Sequence, residues 1–86
     1  MAPSALLYSK EGCHLCEQAK AILNSLATEG LLAWTAVDIQ DDPALYERYW
    51  DKIPVVSLED GRSWYGKISE FRLRRALEAE DETNAA

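Results

Sequence analysis

The chain has 86 residues, 48% of them apolar, with 9 Lys and Arg against 15 Asp and Glu and a formal net charge of −6. That length holds one small domain, and two cysteines are too few for a disulfide-dense scaffold or a four-cysteine zinc site. The acidic balance disfavours nucleic acid and anionic membrane as partners, since both reward a basic face. No stretch approaches the ~20 apolar residues of a transmembrane helix. The opening Met1-Ala2-Pro3-Ser4-Ala5-Leu6-Leu7 lacks the basic start and long apolar stretch of a signal peptide. A soluble, cytoplasmic, monomeric domain is expected.

Ala5-Leu6-Leu7-Tyr8 is a short apolar run that ends at the turn Ser9-Lys10-Glu11-Gly12 and reads as a buried strand. Leu15, Ala19, Ile22, Leu23 and Leu26 then recur on one face of a helix, and Gly30 follows where a C-terminal cap is wanted. Leu31 to Ile39 is β-branched and aromatic, which suits a second strand. Asp42-Pro43 opens a short helix over Ala44 to Trp50, with a carboxylate cap and then proline at the first helical position. Ile53 to Leu58 is a strand entered at Pro54, the dipeptide Asp60-Gly61 signals a hairpin, and Arg62 to Tyr65 returns. Ser69 caps a last helix whose Phe71, Leu73, Ala76 and Leu77 are available for burial. Trp34, Tyr46, Tyr49, Trp50 and Trp64 read as core and helix-packing residues rather than a ligand box.

The order is β-α-β-α-β-β-α. A strand–helix–strand crossover makes the first pair parallel and the hairpin makes the last pair antiparallel, so an α/β fold with a four-stranded mixed sheet and three helices is predicted. The domain is expected over residues 1–79, with an acidic frayed tail at 80–86. From Glu78 onward there are four acids and no base. Most of the net charge therefore belongs to the C-terminal end rather than to the body.

Cys13-His14-Leu15-Cys16 stands where the first strand hands over to the first helix. A thiol at a helix N-terminus faces unpaired backbone N–H groups and the positive end of the helix dipole, which favour its thiolate. A second thiol three residues on lies one turn along the same helix, so the two can open and close a disulfide with little backbone movement. Cys13 is the expected nucleophile and Cys16 the resolving thiol. Lys10 and His14 are candidates for tuning the Cys13 thiol, opposed by Glu11 and Glu17. A structural zinc half-site would need a second pair of ligands, and the chain offers only His14 inside the motif.

The stretch Tyr8 to Cys16, the dipeptide Ile53-Pro54 and the segment Tyr65-Gly66-Lys67-Ile68-Ser69-Glu70 together resemble the glutaredoxins of the thioredoxin superfamily, specifically a divergent, bacterial-type glutaredoxin-like branch. The resemblance covers nearly the whole chain and implies a thioredoxin-like fold of glutaredoxin type. It implies that Pro54 is cis, that it closes off the thiol pocket, and that it frees the backbone of Ile53 to pair with an extended substrate. By the same resemblance Lys10 is the cation beside the thiol, and Gly66, Ser69 and Glu70 hold the glutamyl end of glutathione; Tyr65, by its place beside Gly66, is the aromatic expected to edge the site. His14-Leu15 stands where the family has Pro-Tyr, Lys67 where it has a second glycine, and Ser69 where it has the first of two acids.

The function expected is thiol–disulfide exchange on protein, glutathione-mixed or other small-molecule disulfides, with glutathione as a co-substrate and no tightly bound cofactor or metal. Two other classes stay open at this point. One is a glutathione-assisted iron–sulfur or metal carrier, and the other a non-catalytic binding module that keeps the fold and uses the Ile53 edge for a partner.

Overall fold

A computed structural model describes residues 2–85, with side chains described through Glu78. The elements are β1 (Ser4–Ser9), α1 (His14–Thr28), β2 (Ala33–Asp38), a single 3-10 turn (Ile39–Asp41), α2 (Pro43–Tyr49), β3 (Val55–Leu58), β4 (Ser63–Tyr65) and α3 (Glu70–Ala85). This is the predicted order with one added turn, which the Asp38 carboxylate caps by accepting from the Gln40 N–H at 2.8 Å. Of the tail expected at 80–86, residues 80–85 belong to the last turns of α3, and its side chains lie outside the described residues.

The strands form one sheet in the order β2-β1-β3-β4. β1 runs parallel to β2, with Ser9 opposite Asp38, and antiparallel to β3, with Tyr8 opposite Val55. β4 runs antiparallel to β3, with Tyr65 opposite Val55. Three chain segments therefore meet at one end of the sheet: the exit of β1 towards Cys13, the entry of β3 from Ile53-Pro54, and the exit of β4 at Tyr65-Gly66.

One face of the sheet carries the core. Ala5 and Leu7 of β1 and Val56 and Leu58 of β3 share that face through the register. They form one cluster with Ala19, Leu23 and Leu26 of α1, Leu73 and Leu77 of α3, and Ile68 just before α3. Leu7, Leu23, Leu26 and Leu73 are wholly buried, and each such side chain stabilises the fold by about 1.5–3 kcal/mol relative to exposure.

Helix ends follow the local chemistry. α1 stops in a Schellman arrangement: Glu29 is the cap, Gly30 takes φ +78°, the Gly30 N–H donates to Ala27 O at 2.9 Å, and the Leu31 N–H donates to Leu26 O at 3.0 Å. α2 starts at Pro43, with the Asp42 carboxylate accepting from the Ala44 N–H at 2.9 Å. The Arg72 N–H donates to Ser69 Oγ at 3.3 Å, the capping bond predicted for α3.

Several apolar residues lie where periodicity did not put them. Leu15 is 37% exposed and Phe71 70% exposed, although both sit on predicted burial faces. Each occupies the first turn of its helix, beyond the edge of the cluster beneath. Of the α2 aromatics, only Tyr49 packs as expected, stacking on Tyr8 with ring centroids 4.5 Å apart. Tyr46 and Trp50 are exposed, because a helix of seven residues presents a single narrow stripe to the sheet.

Candidate active site

Cys13 is the N-cap of α1. Its backbone is extended (φ −96°, ψ 106°), its carbonyl accepts from the Glu17 N–H at 3.2 Å, and its Sγ accepts from the Cys16 N–H at 3.2 Å. Gly12 before it takes φ +76°, a conformation costly for any side-chain-bearing residue. A Ser, Thr, Asp or Asn oxygen normally fills this cap position; here it is a sulfur, held against the helix N–H groups that favour its anion.

Cys13 and Cys16 are joined by a disulfide with Cα atoms 5.2 Å apart. The two sulfurs differ in access. Cys13 is half-buried, whereas Cys16 has no exposed surface and lies under the first turn of the helix. Cys13 is therefore the more accessible of the two, and Cys16 offers no surface to a reagent in solution.

The candidate tuning residues lie differently from each other. Lys10, half-buried, lines a groove with Glu11, Gly12, Glu17, Asp38 and Asp41, and it has no ion-pair partner among the described residues. His14 is exposed and turns along the helix, its Nε2 lying 3.2 Å from Gln18 Nε2. Burial raises the Tyr8 hydroxyl pKa above its ordinary value, the neighbouring Tyr49 adds to this, and Arg48 opposes it. Tyr8 is thus neutral at physiological pH and brings no charge to the end of β1.

The Ile53–Pro54 peptide bond is cis, and Pro54 is buried. The Ile53 N–H donates to Tyr49 O at 3.1 Å. That donor is committed within the chain, so any strand-like pairing by Ile53 falls to its carbonyl. The Gly66 N–H lies within hydrogen-bond distance of both Lys52 O (3.1 Å) and Pro54 O (3.0 Å), with Gly66 at φ +76°. The exit of β4 is thereby tied to the proline loop, and Tyr65 stands out beside it, 69% exposed.

Glu70 does not stand free at the site. It accepts from Arg74 Nη2 at 3.0 Å, and the same guanidinium grips both carboxylate oxygens of Glu29 at the end of α1. The acid expected to help hold the glutamyl end of glutathione is therefore already engaged by a cation. Ser69 offers an exposed hydroxyl that caps its own helix. In the sequence Lys67 stands out only as a departure from the family pattern, and Arg72 and Arg74 carry no motif. With Ser69 read as an N-cap, Arg72 falls at the third helical position beside that cap, and this spacing was a usable signal. The Arg74–Glu29 pair spans 45 residues and left none. Among the described residues no three metal-ligating side chains converge.

Residues 5–78 match the family described as the glutaredoxin-like domain (DUF836). The protein XcR50 from X. campestris, a structural genomics target, is 36% identical over 87% of this chain and 96% of its own, with a TM-score of 0.71. Ne2328 from Nitrosomonas europaea is 23% identical over 88% and 91%, with a TM-score of 0.72. Thioredoxin 1 from Thermosipho africanus shares the fold, with a TM-score of 0.77 at 11% identity over 96% and 99%. No curated protein matches the chain. A cysteine pair capping the first helix of a thioredoxin-like fold, together with the family match over most of the chain, makes this protein a member of the glutaredoxin-like domain family.

Proposed function

We propose that the chain is a cytoplasmic thiol–disulfide oxidoreductase that works by a dithiol cycle and accepts disulfides of protein partners. The observation that carries this reading is the unequal access of the two sulfurs in a pair that caps a helix. The reduced enzyme begins with Cys13 as thiolate. It attacks one sulfur of the substrate disulfide, forming a Cys13–substrate bond and expelling the other substrate sulfur as a thiolate, which takes up a proton. Cys16 then loses its proton and attacks Cys13 Sγ. The mixed disulfide breaks, the second substrate sulfur leaves and is protonated, and the Cys13–Cys16 disulfide remains. Two electrons and two protons have passed to the substrate, and a low-molecular-weight thiol or dithiol returns them to the enzyme.

Geometry supports this order of events. The outer sulfur meets substrate, and the inner one meets only its neighbour across a single helical turn. In this reading Pro54 and the Ile53 carbonyl flank the point of attack and Tyr65 edges it, which the shared sheet end of β1, β3 and β4 supports. Glutathione serves here as a reductant rather than as a ligand gripped through Glu70, whose carboxylate is engaged by Arg74.

Equilibration in thiol/disulfide buffers of graded poise, with rapid thiol trapping read by mass, tests the reading. A working pair titrates at a potential in the range of roughly −270 to −120 mV. A pair that stays oxidised below about −300 mV is a structural staple and defeats the proposal. Cys13→Ser must also abolish reduction of a neutral test disulfide.

A further inference from the structure

A shallow groove runs along β4, the strand at one edge of the sheet, and is lined by Trp64, Tyr65, Lys67, Ser69 and Arg72. No acidic side chain lines it. Lys67 and Arg72 are exposed, and neither has a carboxylate partner among the described residues. Lys10, Arg48 and Arg75 also lack a carboxylate partner among the described residues, but Lys67 and Arg72 share one groove that no acid lines. Lys20 pairs with Glu17, Lys52 with Asp51, and Arg74 with Glu29 and Glu70. The Tyr65 end of the groove lies at the end of the sheet from which β1 leads to Cys13, and Gly66 fastens it to the proline loop.

We propose that this groove is where the protein recognises its substrate: an acidic, extended segment of the disulfide-carrying partner lies along β4, with its carboxylates on Lys67 and Arg72 and an apolar side chain against Tyr65. The inference rests on the oxidoreductase reading above and names the class of partner it serves. Charge complementarity carries it. In a chain of net charge −6, two adjacent cations without acids are a local inversion of sign. At 0.1 M salt the screening length is about 10 Å. Within that range a partner feels the groove's own charges rather than the net charge of the chain. Such a surface acts on encounter rate and on choice of partner more than on raw affinity.

The test is a single-turnover exchange with pre-reduced, desalted full-length protein. The probes are three cystine-bridged peptides of equal loop size, flanked by Glu and Asp, by Lys and Arg, or by Ser and Gly. At about 0.1 M salt the acid-flanked peptide oxidises the enzyme roughly 10-fold faster than the base-flanked one, and near 1 M salt the gap falls to about 2-fold or less. The double variant Lys67→Glu/Arg72→Glu reverses the order of the two charged peptides, and Lys67→Arg/Arg72→Lys keeps it. Equal wild-type rates on the two charged peptides overturn the inference, as does an acidic preference that survives charge reversal. Oxidised glutathione reacting faster than the acid-flanked peptide assigns the groove to the tripeptide and also overturns it. A dimer in sedimentation velocity that charge reversal dissolves assigns it instead to the acidic end of a second copy, and overturns it too. Should the reversed variant not fold, the salt dependence of the wild type still decides. The neutral peptide separates the two levels. If it fails to react, the oxidoreductase reading falls; if it reacts while the charged peptides tie, only the acidic partner falls.

Discussion

The two flanks of Cys13 handle charge in opposite ways. On the α1 side, four acids (Glu11, Glu17, Asp38 and Asp41) share a groove with Lys10 and Lys20. Much of that charge is used internally: Glu17 holds Lys20 at 3.1 Å, and Asp38 caps the 3-10 turn. On the β4 side, Lys67 and Arg72 have no acid to hold among the described residues, although Arg74, further along α3, is doubly engaged. Lys10, which has no ion-pair partner among the described residues either, still sits in a groove lined by acids, whereas the groove of Lys67 and Arg72 has none. On the reading proposed above, that difference gives the cysteine pair its own machinery on one flank and recognition on the other.

The sharpest break of the comparison lies at the cap itself. Cys13→Ala and Cys13→Ser should both lower disulfide reduction by about 10³-fold or more, since neither offers a thiolate. Only the alanine variant should lose about 1 kcal/mol of stability against the reduced wild type, because serine still caps α1. Denaturant midpoints under reducing conditions check this. Equal stabilities would mean that the sulfur is not a cap. Cys16→Ser should instead trap substrate on Cys13, visible by mass as one added half of the disulfide, because serine cannot resolve it.

What sequence could reveal of this site tracks how local each interaction is. The Cys13 cap, the Asp42-Pro43 start, the Ser69 cap and the Gly30 stop are contacts within a few residues, and their chemistry is written in the residue types. The mixed sheet was legible too, because crossover and hairpin rules leave few alternatives. Contacts between distant elements left no such trace. Arg74 meets Glu29 only because α3 crosses the end of α1, and the Gly66 N–H meets Pro54 O only because β4 returns beside β3. Periodicity also overcounted burial at Leu15, Phe71, Tyr46 and Trp50. A 3.6-residue stripe states which way a side chain points, but not whether the sheet reaches that far.

Removing the α3 cap probes the recognition flank. Ser69→Ala deletes the oxygen that accepts from the Arg72 N–H and should cost about 1 kcal/mol, read from urea midpoints. A smaller effect, on the opposite flank, comes from Lys10→Met. Losing a cation near the Cys13 thiolate should slow exchange about 3-fold at pH 6 to 7 and move the pH–rate profile to higher pH, the two rates converging once the thiol is fully ionised. A uniform loss at every pH would give Lys10 a role in binding rather than in ionisation.

The smallest expected effect tests the clamp that keeps Glu70 from the site. The guanidinium of Arg74 holds the Glu29 carboxyl below the usual carboxylate range, chiefly through their hydrogen bonds. A depressed folded-state pKa contributes stability that is present above the unfolded value, near pH 4.3, and is lost as pH falls through the folded value. Arg74→Met should therefore lower the melting temperature by roughly 2–4 °C at pH 7, a modest shift because the pair is solvent-screened. The deficit should shrink on acidification as pH falls through the folded-state value of Glu29. The same variant releases Glu70, placing a carboxylate two residues before Arg72 at the margin of the β4 groove. It should then narrow the advantage of the acid-flanked peptide over the base-flanked one at neutral pH. If the melting deficit persists unchanged at low pH, Arg74 contributes by packing rather than by charge. If the peptide preference does not move while the deficit does titrate, the clamp stabilises the fold and has no part in keeping the recognition flank free of acids.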